Sequence, residues 1–345
     1  MKLLHLGCHE VLEYDELKLF LTIPNLEVFS PGAYINNNGL GGRPALPDLD
    51  IREEWLGAWA AVPVKPELDP PLSDQKANLT LELLSHFDAV LIQHVPGWLT
   101  SNWETLKKWG GRVIWRDIGQ TNFEQEAMIG RYAAEGLEII RYSPKSRMLG
   151  NYAGEDAMIR FSKDPEDFLP WVGDRREVMT IGQSMLQREP ACGYEIFLAS
   201  TRPFQRRLYG NNNQASGSIW EGQKSYEQLI EFLSWTRCYF YTGTYPAPYT
   251  LNFMEAALAG IPIVALEHGG LPVPFKHYEV PEMLSSWGLG FWAGSTPHEL
   301  EDRCVRTLSA SDDDLRDRSN AQREGAAKLF SFDAVRPLWE ELLGC

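Results

Sequence analysis

Residues 241–270 read YTGTYPAPYTLNFMEAALAGIPIVALEHGG, and this stretch decides the fold. YFYTG closes an apolar run, TYPAPYT is turn-like, and a helix is expected from Leu251 to Leu258. Ala259-Gly260 and Pro262 then stop it, and IPIVAL supplies the next strand. Strand, turn, helix and strand at this spacing form the unit from which parallel sheets are built. One carboxylate, Glu255, sits inside the otherwise apolar helix. Free N–H groups at a helix start attract anions such as a diphosphate, and ligands of open α/β sheets gather at the C-terminal ends of the strands. A carboxylate one turn into such a helix can accept hydrogen bonds from ribose hydroxyls. A surface carboxylate steadied by the helix dipole fits this segment equally well.

The same alternation extends in both directions. KLLHLG, LEVFSPG, DAVLIQH, RVIWRD and LEIIRYS read as strands in the first half; EVMTIGQS, RRLYG, RCYFYTG and IPIVAL read as strands in the second. Capping boxes mark helix starts at Ser101 with Glu104, at Ser225 with Gln228, and at Thr296 with Pro297 and Glu299; Gly110 is a stop. Two βα series separated by the Pro- and charge-rich KDPEDFLPWVGDRRE predict an α/β protein of two Rossmann-like domains. The first domain is expected over 1–170 and the second over 171–328, with a final helix over 329–345. SPGAYINNNGLGGRPALPDLDIREEW, with Gly39, Gly41 and Gly42, reads as an ordered loop over a cleft.

With 345 residues, 44% of them hydrophobic and 23% charged, the chain suits two ordinary globular cores. No apolar run reaches the ~20 residues of a membrane span, so no transmembrane segment is expected. MKLLHLGCHEVLEYDELK reads as a buried first strand followed by acids rather than as a signal peptide. The scattered cysteines Cys8, Cys192, Cys238, Cys304 and Cys345 lack metal-ligand spacing and suit reduced thiols in a cytoplasmic protein, with no zinc and no cofactor implied. A net charge of −15, acidic in both halves, lacks the basic footprint of a strong nucleic-acid binder.

APYTLNFMEAALAGIPIVA resembles, in register, the donor-site signature of retaining glycosyltransferases of the GT-B fold, E-P-F-G-L-x-x-x-E-A-x-A-x-G-x-P-V-V-A. The shared positions are Pro248, Tyr249, Leu251, Glu255-Ala256, Ala259-Gly260 and Pro262 with IVA. EHGGLP, with Gly269, Gly270 and Pro272, resembles the family's G-G-[ILV]-P turn; FSFDAVRPLW resembles its terminal helix, which crosses back to the N-terminal domain. IGQSMLQRE falls where relatives have G-R-x-x-x-x-K, and IWEGQKSYEQL where they have F-x-G-x-V-S-x-E-E-L. The resemblance covers most of residues 80–345. It implies two Rossmann-like domains with parallel sheets facing a central cleft and a nucleotide diphosphate sugar, UDP-linked by expectation, as donor. It also implies metal-independent transfer with retention at the anomeric carbon.

In that frame Glu255 is the ribose carboxylate. Backbone amides around Tyr249, Thr250 and Leu251 meet the diphosphate, and Gly182, Gln183, Arg188 and Gly222 complete the donor site. Three departures touch the chemistry. The first Glu of the signature is Ala247, the family's Arg is Gln183 with Arg188 in place of its Lys, and the glycine-rich loop after the first strand is replaced by LGCHEVLEYDE. Breaking a bond to diphosphate builds charge on the leaving oxygen, which Arg188 can stabilise; Arg206, Arg207 and Arg116 are further candidates. His94 and Asp117, at strand C-termini, are candidates for orienting an acceptor or sugar hydroxyl. Trp98, Trp103 and Trp220 lie nearest the expected cleft and suit stacking on a sugar, but aromatic residues mostly fill cores and none of the three is a specific signal.

The acceptor stays open between a glycan, a lipid-linked sugar and a modified DNA base. The compact, Trp-rich sequence looks like phage-encoded members of the family, some of which glycosylate hydroxymethylated bases, although the acidic charge argues against DNA. A degenerate member kept for binding is the further alternative. DLD at 48–50 lies in a proline-rich loop, outside the post-strand context of a metal-binding Asp-x-Asp.

Overall fold

The computed structural model describes residues 1–32, 43–46, 48–49, 51–63, 78–119, 122–267 and 277–345. Gly39, Gly41, Gly42, Asp50, Gly269, Gly270 and Pro272 lie outside these. The chain divides into two compact units, one of Met1–Ser162 with Val335–Cys345 and the other of Lys163–Ala334.

In the first unit the order is β1 (Lys2–Leu6), α1 (Glu10–Phe20), β2 (Glu27–Phe29), α2 (Glu53–Ala60), α3 (Leu81–Leu84), β3 (Ala89–Gln93), α4 (Pro96–Trp109), β4 (Arg112–Arg116), α5 (Phe123–Ala133), β5 (Glu138–Arg141) and β6 (Ala157–Met158). Every pairing is parallel, in the order β2-β1-β3-β4-β5-β6. Ala89–Gln93 is buried at every position, as expected of a strand covered on both faces. Phe29, Trp55, Trp98, Trp103 and Trp115 join the aliphatic strand residues in one core.

The second unit contains β7 (Arg175–Ile181), α6 (Tyr194–Thr201), β8 (Arg206–Tyr209), α7 (Tyr226–Trp235), β9 (Thr236–Tyr241), α8 (Leu251–Ala259), β10 (Ile263–Leu266), α9 (Val280–Ser286), β11 (Ala293–Gly294), α10 (Pro297–Ser309) and α11 (Asp312–Phe330). Its parallel sheet runs β11-β10-β9-β7-β8. The capping boxes at Ser225/Gln228 and Thr296/Glu299 form as expected, with Pro297 in the first turn. Gly260 closes α8 in the left-handed conformation.

The helix α12 (Phe332–Leu343) ends the chain, and from Val335 onward it belongs to the first unit. There Trp339 meets the Phe20 ring edge-on at 5.0 Å and lies under the Arg116 guanidinium at 5.3 Å.

Some expectations change. The helix read from Ser101 begins at Pro96, with Val95 as its cap, so Ser101 is internal. Proline at the first position has no N–H to leave unsatisfied, and its fixed φ suits a start there, which puts the cap six residues before the expected one. Part of the stretch read as a loop before Trp55 is already α2. The two-residue strands β6 and β11 have no readable apolar run.

Candidate functional site

In an open parallel sheet the crevice forms where neighbouring strands send their connections to opposite sides. In the second unit this point lies between β7 and β9, so the segments after Ile181 and after Tyr241 flank it.

The first segment is held by backbone bonds from Gly182 to Tyr209 and from Ser184 to Asn211, and by one buried side chain. Asn213, fully buried, accepts from the Met185 amide at 2.7 Å and donates to the carbonyls of Gly182 (2.7 Å), Asn211 (3.1 Å) and Gly210 (3.2 Å). Gly210 has φ +113°, and a Cβ there would stand 2.3 Å from the Gly182 carbonyl oxygen, so only glycine lets the two turns touch. The Trp220 indole donates to the Gly210 carbonyl at 2.8 Å, and Gly222, two residues on, is left-handed at φ +81°. Gln183 and Arg188 stand exposed on this scaffold, and the Arg188 guanidinium meets no carboxylate among the described residues.

The second segment enters α8. Tyr241, buried at the end of β9, accepts from the Thr250 amide at 3.1 Å and bonds the Thr250 hydroxyl at 3.0 Å. Burial pushes its phenol well above the ordinary value. Asn252 donates to the carbonyl of Ile181, tying the start of α8 to the end of β7. Leu251 is half-buried, whereas Tyr249 is buried with its ring 5.3 Å from Phe330. Ala247, at the position of the family's first Glu, is buried as well.

Glu255 departs from the expected open carboxylate. It is 8% exposed, and the Lys163 ammonium donates to its Oε1 at 2.8 Å. Lys163 itself is 1% exposed, and its backbone N–H bonds the Phe330 carbonyl at 2.8 Å. Every other residue of α8 from Phe253 to Ala259 is buried and apolar, so the pair is the polar element of this helix's inner face. Nothing in SKDPEDF marks Lys163 as the partner of a residue 92 positions away. Sequence reasoning missed it for that reason.

In the first unit the strand order reverses between β1 and β3, and His94 follows β3. Its backbone is left-handed, φ +49°, and its amide donates to the Arg116 carbonyl at 3.1 Å. Its Nδ1 is buried with no hydrogen-bond partner among the described residues. Burial lowers the imidazole below its ordinary value, against the opposing pull of Asp117. Asp117 is no open base: fully buried, it accepts from the Gly119 amide at 2.7 Å and is approached by Ser146 at 3.4 Å and Arg141 at 3.5 Å. Arg141 in turn holds Glu126 through two 2.7 Å contacts.

Arg116 is likewise engaged. Its Nε donates to Glu16 at 2.9 Å, and its other nitrogens reach the carbonyls of Ile159 and Arg160. Glu16 also meets His5 at 3.2 Å and the Gln93 amide. Burial works against a charge on Glu16, but Arg116, with His5 and Gln93, holds its carboxyl below the ordinary value. The acids after β1 therefore form a buried network on α1, which no spacing in LGCHEVLEYDE reveals.

The remaining cation candidates are spoken for. Arg207 pairs with Glu177 at 2.7 Å and with Glu221, and Arg206 donates to the Leu198 carbonyl at 2.7 Å. Of the tryptophans, Trp98 and Trp103 fill the core. Among the described residues no group of three or more His, Cys, Asp or Glu is placed to hold a metal ion, and no helix is long and apolar enough to cross a membrane.

Solved structures share this architecture over the full length. HepE of Anabaena in complex with UDP-glucose superposes with a TM-score of 0.67 at 14% identity, covering 100% of this chain and 99% of that one. A glycosyltransferase from Rickettsia africae gives 0.66 at 11% identity, covering 99% and 98%. The fold is GT-B.

The forosaminyltransferase SpnP superposes at 0.54 with 14% identity over 100% of both chains. No protein-family model matches the sequence, and no curated protein matches it. In this GT-B chain the turn at Gly182, touched by Gly210, and the start of α8 flank the strand-order reversal of the second unit. His94 flanks that of the first.

Proposed function

We propose that this protein is a glycosyltransferase that binds a nucleotide diphosphate sugar, UDP-linked, in its second unit and passes the sugar to an acceptor hydroxyl. One observation carries the reading: a GT-B chain, alike over its whole length to structures holding UDP and UDP-glucose, with an exposed arginine that meets no carboxylate among the described residues and a helix start beside the β7/β9 reversal. The diphosphate would lie against the amides at the start of α8, with Arg188 neutralising charge as the bond from the anomeric carbon to the diphosphate breaks. The acceptor oxygen forms the new bond to that carbon on the same face. Its proton passes to the departing phosphate, and UDP leaves, with no metal required.

The direct test is calorimetry with UDP, UDP-glucose and the GDP, ADP, TDP and CDP equivalents, followed by acceptor panels of glycans, lipid-linked sugars and hydroxymethylated DNA with the product anomer read by NMR. UDP binding that Glu255→Gln weakens, with turnover unaffected by EDTA, supports the proposal. No binding of any nucleotide sinks it. A second reading, nucleotide-sugar binding without turnover, is favoured by Ala247 in place of the first acid and by the buried, engaged state of Asp117. Binding with no transfer to any acceptor would select it.

A further inference from the structure

We propose that Lys163 is a positioning residue of the nucleotide site: its ammonium holds Glu255 ionised and in one orientation so that the carboxylate can receive the ribose hydroxyls. The inference rests on the nucleotide reading above and concerns a residue that the signature of this site does not contain.

Packing alone gives no reason for the pair. A buried ion pair replaced by apolar groups of similar size leaves a protein equally or more stable as often as not, and the rest of this face of α8 is apolar already. Recognition of a diol does give a reason. A carboxylate accepts two hydroxyl hydrogen bonds well only when ionised, and burial drives a lone carboxyl towards its neutral form. Glu255 is 8% exposed, and Lys163 Nζ stands 2.8 Å from its Oε1.

The cation is also fixed in place. The Lys163 amide is bonded to the Phe330 carbonyl, and residue 163 pairs in parallel with Ser331, so the ammonium projects from an anchored backbone. Asn252, three residues before Glu255, ties the same helix to the Ile181 carbonyl at the end of β7. The carboxylate is thereby registered against the strand end where the nucleotide is placed.

The test compares the affinity of the full chain for UDP with that for 2′-deoxyuridine diphosphate. Lys163→Met is expected to weaken UDP by about tenfold or more, the scale of a charge-assisted hydrogen bond, and to bring the ratio of the two affinities close to one. Combined with Glu255→Gln it should cause no further loss, because both residues act through one carboxylate. A merely structural lysine would lower the unfolding temperature and leave the ratio at the parental value. That result in a folded variant overturns the proposal.

Should Lys163→Met not fold, a structure of the parent protein with UDP decides. Nζ still on Glu255, with the carboxylate facing the ribose, supports the proposal; a pair that separates on binding, or a ribose elsewhere, refutes it. Failure of the parent to bind UDP removes the nucleotide reading itself. Parental binding with an unchanged ratio in Lys163→Met removes only the role of Lys163.

Discussion

Replacing Asn213 by alanine tests how the first donor-side loop is built. The side chain is fully buried and joins the turn after β7 to the turn after β8 through one accepted and three donated contacts. Two of these, to the Met185 amide and the Gly182 carbonyl, measure 2.7 Å. Truncation strands a buried donor and a buried acceptor, and at ~1–3 kcal/mol for each unsatisfied group the loss should be near 3 kcal/mol. For a unit of this size that corresponds to a fall in unfolding temperature of roughly 6–12 °C. Differential scanning calorimetry reads the shift, and UDP titration should show weaker binding, because Gly182, Gln183 and Arg188 ride on the loop. Asn213→Asp should be no better: it keeps the acceptor for Met185 but faces a carboxylate with three carbonyls. An unfolding temperature within about 2 °C of the parent, on that scale, with unchanged UDP affinity, would refute the reasoning.

Arg188→Gln should leave stability within about 0.5 kcal/mol, because the exposed side chain meets no carboxylate among the described residues, while weakening UDP about tenfold or more through loss of a charge-assisted contact. Equal affinities by calorimetry would remove Arg188 from the site. His94→Asn should flatten the pH dependence of stability. The folded imidazole titrates below its ordinary 6.5, so the unfolded chain takes up protons first and the parent loses stability as pH falls from 6.5 towards the lowered value. Asparagine tolerates the left-handed backbone and carries no titrating group; unfolding temperatures of parent and variant from pH 7 to 5 check this. Arg116→Met should cost about 3–5 kcal/mol at neutral pH by leaving Glu16 buried without its cation. In the parent, Glu16 adds stability above its ordinary 4.5 that fades as pH falls through the lowered folded value. Denaturant titrations at pH 7 and 4 should therefore show the variant's deficit shrinking in acid.

Much of the fold was legible because strands such as DAVLIQH and IPIVAL are continuous apolar runs, and a run of that kind needs cover on both faces wherever it lies. Two capped helix starts were legible for the same local reason, Ser225 with Gln228 and Thr296 with Glu299 each lying within one turn, whereas the capping box of Asn122 with Gln125 went unread. The start of α4 escaped because Pro96 and Ser101 are both admissible first positions and only packing chooses between them. The resemblance names Gly182 and Gly222 as donor-site candidates, but Asn213, which bonds the turn after β7 to the turn after β8, has no sequence signature. A single buried amide is recognised by the atoms around it.

By itself, then, the sequence determined two parallel-sheet units, a helix from Leu251 to about Leu258 with its stop at Ala259-Gly260, and a lone acid on that helix. Those features depend on neighbours a few residues apart. Only the tertiary structure decided the electrostatics: Lys163 on Glu255, Arg116 on Glu16, and Arg141 beside Asp117. Each partner is brought in from a distant strand or segment by folding, and the strength of a charge–charge contact depends on separation and burial in space, which sequence distance does not encode.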